Sequence, residues 1–177
     1  MGKFTRILIA DDESDILASY KEALERANHK VTTTQNGMEC LEIYYQEYKK
    51  AQSETGDLGI ISPFDVVVLD YKMPKKNGLD AAKEILSLNP SQRIIFASGY
   101  VNDTIVDSIK VLGKIIEVLK KPFLLSDFVD QIEDKKIFLE LDRLNVNIKN
   151  LKEVQPTHQS LSTYLETLKV LEKGVTH

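Results

Sequence analysis

"FDVVVLDYKMPKKNG", residues 64–78, drives the apolar run Val66–Leu69 straight into a carboxylate, Asp70, and turns soon afterwards at Pro74. A charge placed at the end of an apolar run costs free energy unless something pairs with it. Either Asp70 lies at a solvated strand end, or it has a charged partner and a task. The rest of the chain decides between these.

On either side of this stretch, apolar runs alternate with helical patterns. "RILIA" (6–10), "KVTTT" (30–34), "VVVLD" (66–70), "RIIFAS" (93–98) and "IIEVLKKP" (115–122) read as strands. Between them, apolar residues recur at helical spacing: Ile16, Leu17, Tyr20 and Leu24 after a Ser14 cap, then Met38, Leu41, Tyr44 and Tyr48 after "QNG". Gly78 opens a third helix that Asn89-Pro90 ends, and Ile105, Ile109 and Leu112 mark a fourth, closed by Gly113. Such alternation predicts βαβ units and a parallel sheet. The strands are apolar throughout, as expected where helices cover both faces. The polar segment 49–63 makes a long connection, which predicts an extended second helix followed by a mobile loop.

The chain has 177 residues, enough for one sizeable core and an appendage. A net charge of -4 argues against a general nucleic-acid surface. The single cysteine, Cys40, sits in a helical pattern and reads as a small core residue, which fits a reducing compartment. No run is long enough to span a membrane, and the N-terminus lacks the features of a secretion signal. The expectation is a soluble, cytoplasmic protein.

In an open parallel sheet, ligands bind beyond the carboxyl ends of the strands. The first strand is followed there by Asp11, Asp12 and Glu13, the third by Asp70, the fourth ends in Ser98, and the fifth is followed by Lys121. Singly, these are turn residues, helix caps or solvated side chains. Together they place carboxylates, a hydroxyl and an ammonium on one edge. Clustered carboxylates call for a cation, and oxygen ligands without His or Cys select Mg²⁺, with Mn²⁺ as a second fit. A lysine and a hydroxyl can then hold two phosphoryl oxygens while one carboxylate attacks phosphorus.

With these residues in place, the chain resembles the receiver domain of two-component response regulators. The resemblance covers about residues 3–134 and rests on "ILIADDE", "VVVLDYKMPKKNGLD", "IIFASGY" and "VLKKPF", in that order. It implies a flavodoxin-like, doubly wound, five-stranded parallel sheet and a phosphoprotein that takes a phosphoryl group from a histidine kinase or phosphotransfer protein onto Asp70. It further implies Mg²⁺ held by Asp11, Asp12, Asp70 and the Lys72 backbone carbonyl, Ser98 as the switch hydroxyl, Lys121 as the phosphoryl partner, and a cis Lys121-Pro122 bond. Where the family carries Tyr or Phe, three residues before the lysine, this chain has Val118. Lys72 and Tyr100 lie where the family varies its dephosphorylation rate, and a long side chain there can shield the acyl phosphate from water.

The reading divides the chain into a phosphoacceptor domain, 1–135, and a C-terminal helical extension, 136–177. After a helix that Ser126 can cap, Ile137, Leu141, Leu144, Ile148 and Leu151 form one seam, "QPTH" (155–158) breaks it, and Leu161, Leu165, Leu168 and Leu171 form a second. A coiled coil, a helical hairpin folded on its own domain and a fraying end all fit. No basic recognition helix is present for a DNA-binding output. Output is therefore expected through protein contacts at the tail or the fourth-helix face, with a second copy among the candidate partners. The chain is read as a phosphoacceptor rather than an enzyme. Two other functions fit less well. A haloacid-dehalogenase-like phosphatase needs a second acid two residues after its Asp nucleophile, where Lys72 stands here. A receiver-fold scaffold that takes no phosphate leaves the full acid set without a purpose.

Overall fold

The computed structural model describes residues 4–55, 61–99, 102–112, 116–134, 136–144 and 157–174. Strands β1 (Arg6–Ala10), β2 (Lys30–Thr34), β3 (Val66–Leu69), β4 (Ile94–Ser98) and β5 (Ile116–Lys120) alternate with helices α1 (Ser14–Arg26), α2 (Gly37–Thr55), α3 (Gly78–Leu88), α4 (Asp103–Lys110) and α5 (Leu125–Glu133). Two further helices follow, α6 (Lys136–Arg143) and α7 (His158–Gly174). All five strands are parallel, in the order β2-β1-β3-β4-β5.

Because side chains alternate along a strand, the unbroken apolar runs feed two cores at once. Ile7, Ile9, Val66, Val68, Ile95 and Ala97 pack with Leu17, Tyr20 and Leu24 of α1 and Phe128 and Ile132 of α5. Leu8, Ala10, Val67, Leu69, Ile94 and Phe96 face the other way, onto α2, α3 and α4 through Leu41, Tyr44, Ala82, Ile85 and Ile109. Cys40 is fully buried in this second layer, as expected for a core residue, and burial pushes its thiol up to about 12.

The first two strands match their expected bounds, and the other three differ by one or two residues at their ends. The extended second helix is present and runs to Thr55; residues 56–60 of the connection after it lie outside the described set, as do Gly113 and Tyr100. Two expected caps are corrected. Ser14 is already the first helical residue of α1, whose cap position is Glu13 with no side-chain bond. Ser126 is the second residue of α5, which starts from Leu124 without a side-chain cap. In contrast, Asn77 caps α3 by accepting from the Asp80 N–H.

In the tail, Leu141, Leu161 and Leu165 form a small buried cluster with Leu144, Tyr164 and Leu168 at its margin. The two leucine seams thus meet each other as α6 packs on α7, and Lys169 pairs with Glu140 across that contact. Leu171 is exposed, and the seam positions Ile148 and Leu151, with the expected boundary residue 135, lie outside the described set.

Candidate functional site

The chain moves outward in opposite directions from β1 to β2 and to β3, so the sheet opens a crevice beyond the carboxyl ends of β1 and β3. Asp11 and Asp70 stand there as the first residues past those strands. Their backbones remain in the ladder: Asp11 N–H donates to the Thr34 carbonyl at 3.1 Å, and Asp70 N–H donates to the Ala10 carbonyl at 2.8 Å. The apolar runs therefore deliver both carboxylates to fixed neighbouring points.

Both are buried, Asp11 at 1% and Asp70 at 8% exposure. Each is partly satisfied by the turn that follows it. The Glu13 N–H donates to Asp11 Oδ1 at 3.1 Å, and the Lys72 N–H donates to Asp70 Oδ2 at 3.1 Å. Between their remaining oxygens lies one ammonium. Lys121 Nζ donates to Asp11 Oδ2 at 2.6 Å and stands 3.5 Å from Asp70 Oδ1. Lys121 is held by its own backbone N–H, which donates to the Ser98 carbonyl at 2.9 Å, and it precedes the expected cis bond to Pro122. Ser98, the last residue of β4, is buried and sits in register with Lys120.

One ammonium does not fully compensate two buried carboxylates. Burial is the largest influence on Asp70, and with the Asp11 charge it outweighs the attraction of Lys121, so the Asp70 carboxyl is pushed up to about 6. Burial alone would lower the Lys121 ammonium, but its hydrogen bond to Asp11 and the charges of Asp70, Asp11 and Glu13 win and raise it. The same negative field adds to burial in raising the Tyr20 hydroxyl. A further cation at these oxygens would supply the remaining compensation. The donor set is all oxygen and suits a hard divalent ion. Asp12 is not gathered with the other two acids: it is exposed, and no group of three potential ligands is closely assembled among the described residues.

Gly78 completes the floor. A Cβ built there would lie 2.1 Å from the Asp70 carbonyl oxygen and 3.3 Å from the Phe96 ring. Only glycine lets α3 begin this close to the residue it supports.

The structure thus brings Asp11, Asp70, Ser98 and Lys121 to one edge and leaves Asp12 and the Lys72 side chain outward. Reasoning from sequence missed one buried charged group, Arg93 with Glu117, each at most 3% exposed and joined at 2.8 Å. Their signal was two charges inside apolar strand patterns.

A doubly wound α/β domain with an acidic, lysine-bridged pocket at its switch point is the class that fold and site define. Residues 7–133 match the response regulator receiver domain, and the chain belongs to that family. It is 30% identical over 128 residues to the response regulator receiver protein CpdR of Brucella abortus, covering 72% of this chain and 93% of that one. It is 31% identical over 134 residues to the chemotaxis protein CheY of Thermotoga maritima, covering 75% and 96%. A response regulator receiver domain protein from Clostridium thermocellum superposes with a TM-score of 0.59 at 27% identity, covering 81% of this chain and all of the other. The receiver domain of the Arabidopsis thaliana histidine kinase CKI1, solved with Mg²⁺, has the same fold, with a TM-score of 0.61 at 24% identity over 73% and 92% of the two chains. Among the described residues, no helix is long and apolar enough to cross a membrane.

Proposed function

We propose that this receiver domain accepts a phosphoryl group on Asp70 from the phosphohistidine of a kinase or phosphotransfer protein, and signals through protein contacts. The observation that carries this reading is the buried Asp70 carboxylate, 3.5 Å from Lys121 and incompletely compensated by it. An Asp70 oxygen attacks phosphorus, the P–N bond breaks, and the departing imidazole takes a proton. An acyl phosphate forms on Asp70, a recognised form of covalent catalysis. Asp11 and Asp70, with the Lys72 carbonyl and with Asp12 once its exposed side chain turns inward, would hold Mg²⁺, which would supply charge neutralisation for the phosphoryl oxygens. Lys121 offers its ammonium to another phosphoryl oxygen. Ser98, at the adjacent strand end, donates its hydroxyl to a third. The chain's own work is alignment and charge compensation, which suffices for a loose phosphoryl transition state.

The test is incubation with acetyl phosphate and Mg²⁺ followed by intact mass. One phosphoryl adduct, absent in Asp70→Asn, is expected. Turnover of phosphomonoesters without an adduct would instead identify a phosphatase, and neither adduct nor turnover would identify a scaffold. The Lys72 side chain is exposed beside the site and shields the adduct from water in this reading; Lys72→Ala then shortens the adduct's lifetime, and an unchanged lifetime removes that role.

A further inference from the structure

None of the site residues named above lies in the turn between β2 and α2, yet the backbone of that turn holds both arms of the pocket. On one side the Thr34 carbonyl accepts from the Asp11 N–H at 3.1 Å. On the other the Gly37 N–H donates to the Lys76 carbonyl, also at 3.1 Å. Lys76 belongs to the loop 71–77 that follows Asp70 and carries the Lys72 carbonyl.

The second contact depends on glycine. A Cβ built on Gly37 would lie 2.4 Å from the Lys76 carbonyl oxygen and 3.0 Å from its carbon. Those atoms are backbone and cannot swing aside. Gly37 is itself fixed, because the buried Asn36 caps α2. Asn36 Oδ1 accepts from the Glu39 N–H at 3.0 Å, and the Asn36 amide donates to Glu39 Oε1 at 2.7 Å. The loop is thus gripped at two glycines: Gly37 lies against the Lys76 carbonyl, and Gly78 against that of Asp70.

The grip matters because the loop is strained. Lys75 has a φ of 62°, a left-handed conformation that a non-glycine residue keeps only where its surroundings fix it. The fixing bonds lie on the next residue. The Lys76 N–H donates to the Pro74 carbonyl at 2.7 Å, and the Lys76 carbonyl is the acceptor for Gly37. In the inner half of the loop, Tyr71 and Met73 pack on the core layer and the Lys72 N–H binds Asp70 Oδ2. The outer half relies on Gly37. We propose that Gly37 is a positioning residue: through Lys76 it holds the loop 71–77 at the spacing from Asp11 that lets Asp70 and the Lys72 carbonyl share a divalent cation. This deepens the proposed phosphoacceptor role and rests on it. By linkage, a cation bound there must tighten the Gly37–Lys76 contact by the same factor as the contact tightens the cation.

The experiment is calorimetric titration of the full chain with Mg²⁺, comparing wild type with Gly37→Ala. The variant should bind Mg²⁺ roughly tenfold more weakly, the scale usual for groups that orient metal ligands. Its adduct formation from acetyl phosphate should fall at low Mg²⁺ and return at high Mg²⁺. Ile132→Val, which trims the opposite core layer, controls for stability: its unfolding midpoint falls and its Mg²⁺ affinity stays at the wild-type value. Wild-type affinity in Gly37→Ala, or an equal loss in Ile132→Val, overturns the proposal. Should Gly37→Ala fail to fold, amide exchange in the wild-type chain decides. Mg²⁺ should slow exchange of the Gly37 N–H several-fold more than that of the Asn89 N–H, which binds the Ile85 carbonyl at the far end of α3. Equal slowing overturns the proposal. A wild-type chain that binds Mg²⁺ and forms no adduct overturns the phosphoacceptor reading and leaves the role of Gly37 standing, since affinity and exchange are read without phosphate. A wild-type chain that binds no Mg²⁺ overturns the role of Gly37.

Discussion

The sheet carries a charged cluster at each end, and the two are built on opposite principles. At the amino end of β4 and β5, Arg93 donates to Glu117 through Nε at 2.8 Å and Nη2 at 3.3 Å. Its remaining N–H groups reach the carbonyls of Gln131, Ile132 and Asp134 at 2.7, 2.9 and 3.3 Å, capping the end of α5, while Gln131 adds a donor to Glu117. Charge is matched one to one, and the guanidinium bridges the carboxylate and three backbone carbonyls. At the carboxyl end, two buried carboxylates share one lysine, and one of them is pushed toward neutral pH. The closed cluster holds elements together. The open one leaves two buried carboxylates with a single lysine between them, the imbalance on which the proposed phosphoacceptor role rests.

The contrast is broken most forcefully at the closed end. Arg93→Met removes the guanidinium from the buried Glu117 carboxylate, and removing one member of a buried pair costs roughly 3–5 kcal/mol. The double variant Arg93→Met/Glu117→Leu should recover most of that, because two apolar groups replace a pair whose desolvation was itself costly. Urea unfolding measures both. A single-variant loss below about 1 kcal/mol would show that the cluster is not the closed structural element described here.

Next in size is Gly78→Ala. The added methyl meets the Asp70 carbonyl, which is backbone and cannot swing aside. The start of α3 must shift, at about 1–3 kcal/mol by the usual scale of overpacking. The same shift displaces Asp70, so adduct formation falls as well. A variant that lost stability but formed adduct at the wild-type rate would separate the floor from the site.

The open end is tested by pH. The Asp70 carboxyl is raised from its ordinary 3.8 to about 6, chiefly by burial, so the folded chain holds this proton more tightly than the unfolded chain does. Its stabilising contribution is therefore fully present below about pH 4 and lost as pH rises through about 6. Without metal, Asp70→Asn should gain on the order of 1 kcal/mol over wild type at pH 8, after discounting for solvent screening, and the gain should vanish near pH 4. Adding Mg²⁺ at pH 8 should stabilise wild type more than Asp70→Asn, because binding to the folded state adds stability by mass action. A pH-independent difference between the two would mean that Asp70 is already compensated.

Much of the open end was legible because each member stands at the junction of an apolar run and a turn, a pattern that one-dimensional reading detects. Asp70 after Val66–Leu69 and Asp11 after Arg6–Ala10 are examples. The closed end was not legible, since Arg93 and Glu117 lie 24 residues apart and meet only through the pairing of β4 with β5. A charge inside a strand pattern reads as a solvent-facing position until the register shows its partner. Caps failed for a related reason. Ser14 and Ser126 have the right chemistry, but α1 and α5 begin at Ser14 and Leu125, so each hydroxyl lies too far into its helix to cap it. The orientation of Asp12 is a side-chain property, and the motif that places it beside Asp11 is silent on it.

The smallest expected effect asks whether the start of α3 serves the fold or the site. Asn77 caps α3 with its side-chain oxygen on the Asp80 N–H at 2.8 Å, and its amide donates to the Asp80 carboxylate at 2.9 Å. It neighbours Gly78, yet its own side chain points away from the acids to an exposed first turn. Asn77→Ala should therefore lose about 0.5–1 kcal/mol, the usual worth of an N-cap in an exposed setting, and leave the level of adduct unchanged. Intact mass after acetyl phosphate and urea unfolding read the two quantities on the same sample. If adduct falls while stability holds, the cap belongs to the open cluster, and the division between the two ends of the sheet has to be redrawn to include the first turn of α3.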